Sequence, residues 1–356
     1  MITLNGKQYT REELDRHIGH LSQVAGVRLM SLDDGVEAGV RIADIRSGSG
    51  LRFQVTLDRG MDVSMAEYKG IPLAWRSPNG DVHPSFYDPR GLGWLRSFPG
   101  GLVTGCGITQ AGAPCEDDGE ELGLHGRLSH TPASDVGSRT EWQGDRCVFK
   151  LSGMIRENTL FGQNLALYRE IETELGSSAF TIRDSVVNEG FRVTPLMMLY
   201  HINLGWPLLE EGAALMVHSK GLIPRDAEAE KGVADATKIQ APMQGYKEQV
   251  FFHDLIADGR GFATALLANR NLGLGLYAEF RQAELPRFTQ WKMVGEGEYV
   301  FGMEPANCWV QGRAKERQRG TLKMIDPGER CEFLVRIGIL DGHAAMDQFI
   351  SERNLK

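Results

Sequence analysis

The chain has 356 residues, of which 42% are hydrophobic and 24% charged, as is usual for a globular protein with a large core. Its formal net charge of −8 excludes an overall basic field that would hold nucleic acid or an anionic membrane surface. The polar N-terminus is unlike a secretory signal, and no apolar run approaches the roughly 20 residues that span a bilayer. Five scattered cysteines without CxxC spacing predict reduced thiols, so we expect a cytoplasmic protein.

The first predicted element is a short helix over residues 11–24, where apolar side chains recur at helical spacing. We assign this helix to an N-terminal extension, residues 1–35, because the pattern of apolar side chains changes from about residue 36 onward.

From there the chain alternates apolar and polar side chains over short runs bounded by turn residues, which is typical of antiparallel strands. The run at 165–175 also fits a helix, but its neighbour at 180–190, across the sequence GSSA, favours a β-hairpin. No βαβ alternation, GxGxxG motif or P-loop is present, and no linker divides the chain. The sequence therefore predicts one all-β sandwich domain over 36–345 and a C-terminal tail over 346–356. The clearest predicted strands cover 51–57, 147–155, 165–175, 180–190, 273–280 and 331–340.

Four stretches interrupt the strand pattern with a titratable residue set among glycines and aromatic side chains. A sandwich interior penalises an unpaired polar group, so such residues indicate a polar pocket. His201 and Asn203, two residues apart, are expected to face the same side of a strand. Aromatic surfaces beside polar groups suit a sugar, whose C–H faces stack on Trp or Phe while its hydroxyls need donors and acceptors. The four stretches are 93–112, 122–133, 200–207 and 285–309.

Three motifs in these stretches resemble motifs of the galactose mutarotase (aldose 1-epimerase) superfamily in order and approximate spacing: LHGR at 124–127, YHINLG at 200–205 and FGMEPANC at 301–308. The chain is most similar to a divergent, aldose-1-epimerase-like branch of unknown function, and the likeness covers about 25–341. It implies a mainly antiparallel β-supersandwich with a sugar site on a concave sheet face. It also implies an epimerase that interconverts the anomers of a small carbohydrate without a cofactor.

The resemblance further implies a role for each matching residue. His125 corresponds to a histidine that binds a ring or hydroxyl oxygen, His201 to the general acid that protonates the ring oxygen, and Glu304 to the base that accepts the anomeric hydroxyl proton. Arg96 corresponds to a substrate-binding arginine. The chain departs from the family pattern where HGRLSH replaces HGG, and the family's sugar-binding aspartate has no clear match, so Asp254 is assigned by order along the chain.

The chemistry of mutarotation fits these residue types. Opening and reclosing a hemiacetal requires one group that removes the O1 proton and another that protonates O5. A histidine with an ordinary pKa of about 6.5 and a partly buried glutamate exchange protons near neutral pH. We also expect Asn203, Trp291 and Lys292 to contact substrate, with Trp291 as pocket wall and Lys292 as hydroxyl donor.

Other interpretations remain open at this stage. Instead of acting in catalysis, His201 could have a purely structural role. Glu304 could instead form an ion pair with Arg313 or Lys292. A non-catalytic sugar-binding protein is a second class, and a metal-dependent sugar isomerase, lyase or hydratase a third. The sequence specifies neither the sugar, nor a charged substituent on it, nor whether the chain forms homo-oligomers. The ligands of the metal site would be His125, His201, His253 and Glu304.

Overall fold

The computed structural model describes residues 1–4 and 6–356, and it shows a chain made mainly of strands. Its helices are short: α1 (Arg11–Asp15), α2 (Ala227–Glu230), α3 (Arg313–Arg319) and α4 (His343–Glu352). Single 3-10 turns lie at Leu21–Gln23, Gly35–Glu37, Pro84–Phe86, Gly93–Arg96, Leu128–His130 and Val233–Asp235. The strands are β1 (Ile2–Leu4), β2 (Lys7–Tyr9), β3 (Gly26–Ser31), β4 (Arg41–Arg46), β5 (Leu51–Thr56), β6 (Asp62–Tyr68), β7 (Ile71–Pro72), β8 (Val103–Cys106), β9 (Cys115–Asp117), β10 (Glu120–Leu122), β11 (Ser134–Gln143), β12 (Arg146–Asn158), β13 (Asn164–Glu174), β14 (Ala179–Asn188), β15 (Thr194–Pro195), β16 (Leu199–Leu204), β17 (Ala214–Val217), β18 (Ser219–Pro224), β19 (Gln249–Leu255), β20 (Phe262–Asn269), β21 (Leu274–Arg281), β22 (Arg287–Gly295), β23 (Glu298–Ala306), β24 (Met324–Ile325) and β25 (Arg330–Asp341).

Two large antiparallel sheets contain most of these strands. The first has eleven strands in the order β18-β19-β22-β23-β16-β8-β6-β5-β4-β3, with β7 paired to β6. The second has eight strands in the order β11-β12-β13-β14-β25-β21-β20-β17. Three small two-stranded sheets, β1-β2, β9-β10 and β15-β24, contain the remaining strands.

The main core lies between the two large sheets. Phe53 of β5 stacks on Phe180 of β14 with ring centroids 4.4 Å apart, and Phe280 of β21 lies parallel to Phe288 of β22 at 6.1 Å. Each of these contacts joins a strand of one sheet to a strand of the other, so the fold is a β-sandwich. The predicted all-β, mainly antiparallel architecture is confirmed.

All six strand runs predicted from alternation coincide with strands. The predicted hairpin is formed by β13 and β14, which pair antiparallel over nine residues from Leu165 opposite Asn188 to Thr173 opposite Phe180. A strand period of two along 165–175 therefore prevailed over the helical alternative, because one face of the segment is buried in the sandwich.

The termini differ in detail from the prediction. Helix α1 ends at Asp15 rather than at residue 24. Thr10 and Glu13 form a capping box that stabilises its start, but Leu14 is its single buried side chain, so little packing supports a longer helix. The eleven-stranded sheet already begins at β3, ten residues before the predicted domain boundary at 36. At the other end α4 crosses the predicted boundary at 345/346, and its Phe349 packs on Tyr277 of β21. The division into three segments stays a prediction.

A buried charged network lies in the sandwich between the sheets. The guanidinium of Arg169 on β13 donates to both carboxylate oxygens of Asp184 on β14, at 2.8 and 2.6 Å, and to the main-chain oxygen of Gly60 at 2.7 Å. The hydroxyl of Tyr200 on β16 donates to the same Asp184 carboxylate at 2.6 Å, and Asp62 lies 3.7 Å from Arg169. This network links strands of the two sheets directly beneath β16.

Two expectations from composition concern the whole chain. In the part of the chain that the structure describes, there is no helix with the length and apolar character needed to cross a membrane. The five cysteines all carry free thiols.

Candidate active site

Alternation along β16 explains how a buried strand carries a histidine. One set of its side chains packs in the core between the sheets, whereas the other set faces the outer side of the eleven-stranded sheet, where a second apolar cluster lies. Asn203 and His201 share that outer side with Leu199. The inward residues are Tyr200, Ile202 and Leu204.

Strand register then sets the neighbours of His201. Residues directly opposite each other in an antiparallel sheet project to the same face. The pairing of β16 with β23 places His201 opposite Glu304, and β22 places Thr289 next to Glu304. On the other side of His201 lies Thr104 of β8, and beyond Thr289 lies Phe252 of β19. One row of side chains therefore crosses five adjacent strands on the outer face.

His201 and Glu304 form a close pair in this row. Nε2 of the imidazole lies 3.4 Å from Oε1 of the carboxyl, and the two residues are only 5% and 2% exposed. Burial raises the pKa of Glu304 to about 8, with a smaller contribution from the negative charge of Glu248. Burial lowers the pKa of His201 to about 4, an effect partly offset by Asn203. Near neutral pH these opposed shifts favour an uncharged pair, in which the proton between the carboxyl group and the imidazole is on Glu304.

His125 reaches the same place from a loop. It adopts φ of 57°, and its main-chain N–H donates to the Gly112 oxygen at 2.9 Å while its Nδ1 accepts from the Gly112 N–H at 3.3 Å. The neutral ring therefore carries its proton on Nε2. Burial lowers the pKa of His125 to about 3, helped by the neighbouring His201, whose ring centroid is 5.6 Å away. The two imidazoles and the carboxyl group predicted from the sequence thus lie together.

Aromatic side chains surround this group. Trp291 lies edge-on to the His201 ring at 5.2 Å, and Phe98 lies 5.6 Å from that ring. Trp94 lies 4.8 Å from His125 and stacks on Phe98 at 4.4 Å. Trp75 contacts Trp291 at 6.3 Å. Apolar walls around a few buried polar groups are typical of sites that bind small molecules.

Two further predicted contacts, Asn203 and Trp291, lie on the same face as the pair. The side-chain amide of Asn203 donates to the main-chain oxygens of Gly101 at 3.0 Å and His201 at 2.9 Å. The Trp291 indole N–H donates to Glu248 at 2.9 Å, which fixes the ring beside His201. Both residues remain predicted substrate contacts.

Lys292 does not belong to the site. It follows Trp291 on β22, and consecutive strand residues point to opposite faces. Its ammonium is buried and donates to the main-chain oxygens of Asp235 and Lys238, both at 2.7 Å, and burial lowers its pKa to about 8. The prediction that Lys292 donates to a sugar hydroxyl is therefore wrong, because its donors point to main-chain oxygens on the opposite face.

Two other predicted contacts, Asp254 and Arg96, have exposed side chains. Asp254 projects from β19 on the outer face, but it is exposed, lies 3.8 Å from Lys220 and stands beyond the row that contains Glu304. Arg96 is exposed at the end of the 3-10 turn that carries Trp94, and the charge of Asp88 lies near it. Their positions neither support nor contradict contact with a substrate, so both roles stay predictions.

The structure supports neither an ion pair between Glu304 and Arg313 nor the proposed metal site. Arg313 is engaged by Asp117 at 2.7 Å, so it is not the partner of Glu304. His253 lies on the core side of the sheet, where its Nε2 is 2.9 Å from the Gln290 amide oxygen, so the four proposed metal ligands do not converge. No group of three or more His, Cys, Asp or Glu side chains in the described part of the chain is placed to hold a metal ion.

Sequence reasoning missed two residues near the His201–Glu304 pair. Trp75 lies between short elements, and only its packing on Trp291 reveals it. Thr289 is fully buried beside Glu304, and its hydroxyl has no hydrogen-bond partner among the described residues. Thr289 could have been found as a polar residue directly opposite Glu304 on the neighbouring strand. That inference requires knowing which strands pair.

Comparisons with known proteins agree with this architecture. The chain superposes with a TM-score of 0.88 on a putative aldose 1-epimerase from Klebsiella pneumoniae, with 27% identity over 92% of this chain and 86% of that one. A galactose mutarotase-like protein from Clostridium acetobutylicum gives a TM-score of 0.62 at 13% identity, over 90% and 99% of the chains. A galactose 1-epimerase from Lactobacillus acidophilus gives 0.55 at 13% identity, over 90% and 100%.

At 13% identity, the last two likenesses show the fold alone. No curated protein matches the chain. One family profile, described as Domain of unknown function (DUF4432), matches residues 37–339. The chain therefore belongs to the DUF4432 family, and its fold is that of the galactose mutarotase-like proteins.

Proposed function

We propose that this protein is a carbohydrate epimerase that interconverts the anomers of a sugar by proton transfer at Glu304 and His201. The observation that carries the proposal is the 3.4 Å separation of Glu304 Oε1 and His201 Nε2, buried among aromatic side chains with His125 beside them. The Klebsiella pneumoniae protein's name and the overall likeness to it support the same reaction class.

The reaction needs a pair of groups that shares one proton. One group removes the proton from O1 while the other protonates O5, and the C1–O5 bond breaks to give the open aldehyde. Rotation about the C1–C2 bond presents the other face, and the reverse transfers close the ring. A pair with one proton is restored after each cycle and needs no cofactor.

The direction of proton transfer follows from where the proton starts. The expected roles, His201 as acid and Glu304 as base, require the proton to pass from Glu304 to His201 as the sugar binds. The pKa values of about 8 and about 4 make that transfer unfavourable in the empty site, although attraction between the resulting carboxylate and imidazolium, 3.4 Å apart, offsets part of the cost. Hydrogen bonds from O1–H to the Glu304 carboxylate and from protonated His201 to O5 contribute roughly 1.5–3 kcal/mol each and favour the transfer further.

The neighbouring groups orient the sugar. His125 presents an Nε2–H donor, which suits a hydroxyl or ring oxygen, since its Nδ1 is occupied by the Gly112 amide. Trp291 and Phe98 offer apolar surfaces beside His201. Holding the ring against these surfaces keeps C1 near Glu304 while the bond opens, and such positioning adds to the rate beyond proton transfer itself.

The test of this proposal is saturation-transfer NMR on the anomeric protons of a panel of pentoses, hexoses and uronic acids. Wild-type protein is expected to accelerate exchange between the α and β signals of at least one sugar. Binding of sugars without any acceleration of exchange would leave a sugar-binding protein instead of an epimerase.

The pH profile is a second expected outcome. Above about pH 8 Glu304 loses its proton, so the pair no longer holds one, and kcat/KM is expected to fall about tenfold per pH unit. On the acid side His201 gains a proton only near pH 4, so kcat/KM is expected to stay level from about pH 5 to 7.5. The measurement is exchange NMR between pH 5 and 9.5, with the buffer-catalysed rate subtracted at each pH.

Glu248→Gln is the matched variant for this profile. The Glu248 charge raises the pKa of Glu304, and the Arg225 that it holds at 2.9 Å lowers it. Removing the Glu248 charge is therefore expected to move the alkaline limb to lower pH. An alkaline limb that is missing in the wild type, or that stays in place in Glu248→Gln, would show that Glu304 does not carry the essential proton.

A further inference from the structure

A groove of about 490 Å³ lies on the same outer face as the His201–Glu304 pair, toward the β18 edge of the sheet. Phe252 and Trp309 pack against each other in it with centroids 4.6 Å apart, and Ile223 is 67% exposed at its side. Phe252 belongs to the row that contains Glu304 and Thr289, so one wall of the groove lies two strands away from Glu304 on the same face.

Charges in the groove are mainly positive. Besides His253, the ionisable residues that line it are the basic Lys220, Arg287 and Arg319 and the acidic Asp254. Lys220 lies 3.8 Å from Asp254, and Arg319 interacts with Glu316 at 3.3 Å and with the Gln311 side chain. On a chain of net charge −8, a groove with this excess of positive charge is a local exception.

Arg287 is the cation without a partner. Its guanidinium lies over the Trp309 ring, 4.9 Å from the centroid, and among residues 1–4 and 6–356 no carboxylate lies within ion-pair distance of it. Stacking on an aromatic ring holds the planar guanidinium while leaving its N–H donors free for a carboxylate or phosphate. Asp254 stands opposite Arg287 in the register of β19 and β22, but its carboxylate lies 3.8 Å from Lys220 and forms no ion pair with Arg287, so the Arg287 donors stay available for an added anion.

Arg287 lies close to Glu304 on the same face of the sheet. Arg287 lies two residues before Thr289 on β22, and Thr289 is opposite Glu304. With strands about 4.8 Å apart and about 3.4 Å of rise per residue, the Cα atoms of Arg287 and Glu304 are about 8 Å apart. A sugar with C1 at Glu304 would therefore reach Arg287 with a substituent at the far side of its ring.

We propose that the groove is a subsite for an anionic group, carboxylate or phosphate, on the sugar substrate, and that Arg287 is the residue that binds it. This inference rests on the proposed function in taking the ligand to be a sugar. It narrows the substrate class to acidic or phosphorylated aldoses. Phe252 and Trp309 cover part of the ion pair with apolar surface, which reduces its contact with water and strengthens it.

Calorimetric titration of three matched sugar pairs tests this subsite. The pairs are glucose with glucuronate, glucose with glucose 6-phosphate, and galactose with galacturonate, each measured with wild type and two variants. Arg287→Met keeps the apolar contact with Trp309 and removes the charge, whereas Arg139→Met removes an exposed charge from β11 of the other sheet. Wild type and Arg139→Met are expected to bind at least one acidic sugar about tenfold more tightly than its neutral partner, as a charge-assisted hydrogen bond would give.

In Arg287→Met that preference is expected to fall below about threefold. If no acidic sugar binds more tightly than its neutral partner, or if the preference survives in Arg287→Met, the subsite does not exist. Binding is measured separately from turnover, so failure of the two proposals can be told apart. An Arg287-dependent preference without anomer exchange supports the subsite and overturns the epimerase, whereas exchange without any acidic preference does the reverse.

Discussion

Replacing Glu304 with glutamine is expected to lower the rate of anomer exchange by about 10²–10⁴-fold, the usual contribution of a positioned acid–base group. Glutamine has nearly the shape of a protonated glutamic acid but cannot take up or release the proton. Because burial raises the pKa of Glu304 to about 8, the native side chain is itself neutral at pH 7. The variant is therefore expected to keep the thermal midpoint of the wild type while losing activity.

The matched control is Glu298→Gln on the same strand, where the side chain is exposed at the start of β23. It should retain wild-type exchange rates. His201→Asn should lose activity to a similar degree as Glu304→Gln, and the double variant should be little worse than either single one, because the two residues share one proton. Activity retained in Glu304→Gln with the fold intact would remove Glu304 from the mechanism.

The largest expected effect on stability comes from Arg169→Met. The substitution leaves the Asp184 carboxylate buried without its guanidinium partner and withdraws the nearest positive charge from Asp62. Removing one partner of a buried pair costs about 3–5 kcal/mol. The midpoint of urea denaturation, followed by circular dichroism, should shift accordingly to lower urea concentration.

Arg146→Met supplies the comparison for this variant. Arg146 forms an ion pair with Glu174 at 2.5 Å at a position where both side chains are more than 40% exposed. Water screens an exposed pair and leaves it little net effect on stability, so the midpoint should barely move. Equal shifts in the two variants would mean that the Arg169 network does not stabilise the junction between the sheets.

Most of the fold could be predicted because strand alternation is a local property. Segments such as 147–155 and 331–340 alternate apolar and polar residues, and each lies in a strand with one face in the core. The length of the first helix could not be predicted in this way. Residues 11–24 have helical spacing, but packing buries only Leu14 of α1, and the chain leaves the helix after Asp15.

The site could be predicted in part. His201 and Asn203 were placed on one face by their spacing of two, and the structure has them so. Lys292 was misplaced although the same rule applied, since a residue next to Trp291 on a strand must face the opposite side. The closeness of His201 and Glu304 depends on the pairing of β16 with β23, which no local pattern encodes.

The sequence alone also could not show whether the shared proton is on Glu304 or on His201. An exposed glutamate and an exposed histidine would leave the proton on the imidazole, because their ordinary pKa values are about 4.3 and 6.5. Burial of both groups reverses this order, and burial is known only once the strands have been assembled. The assignment of acid and base therefore depends on substrate binding and not on residue type alone.

A crystal structure of the protein with a bound aldose is the most direct test of the proposed site. We expect the sugar in the pocket walled by Trp291 and Phe98, with O1 within about 3.2 Å of a Glu304 carboxyl oxygen and O5 within about 3.2 Å of His201 Nε2. A sugar bound elsewhere on the molecule, or bound here with its anomeric carbon turned away from both groups, would show that these residues do not perform the chemistry.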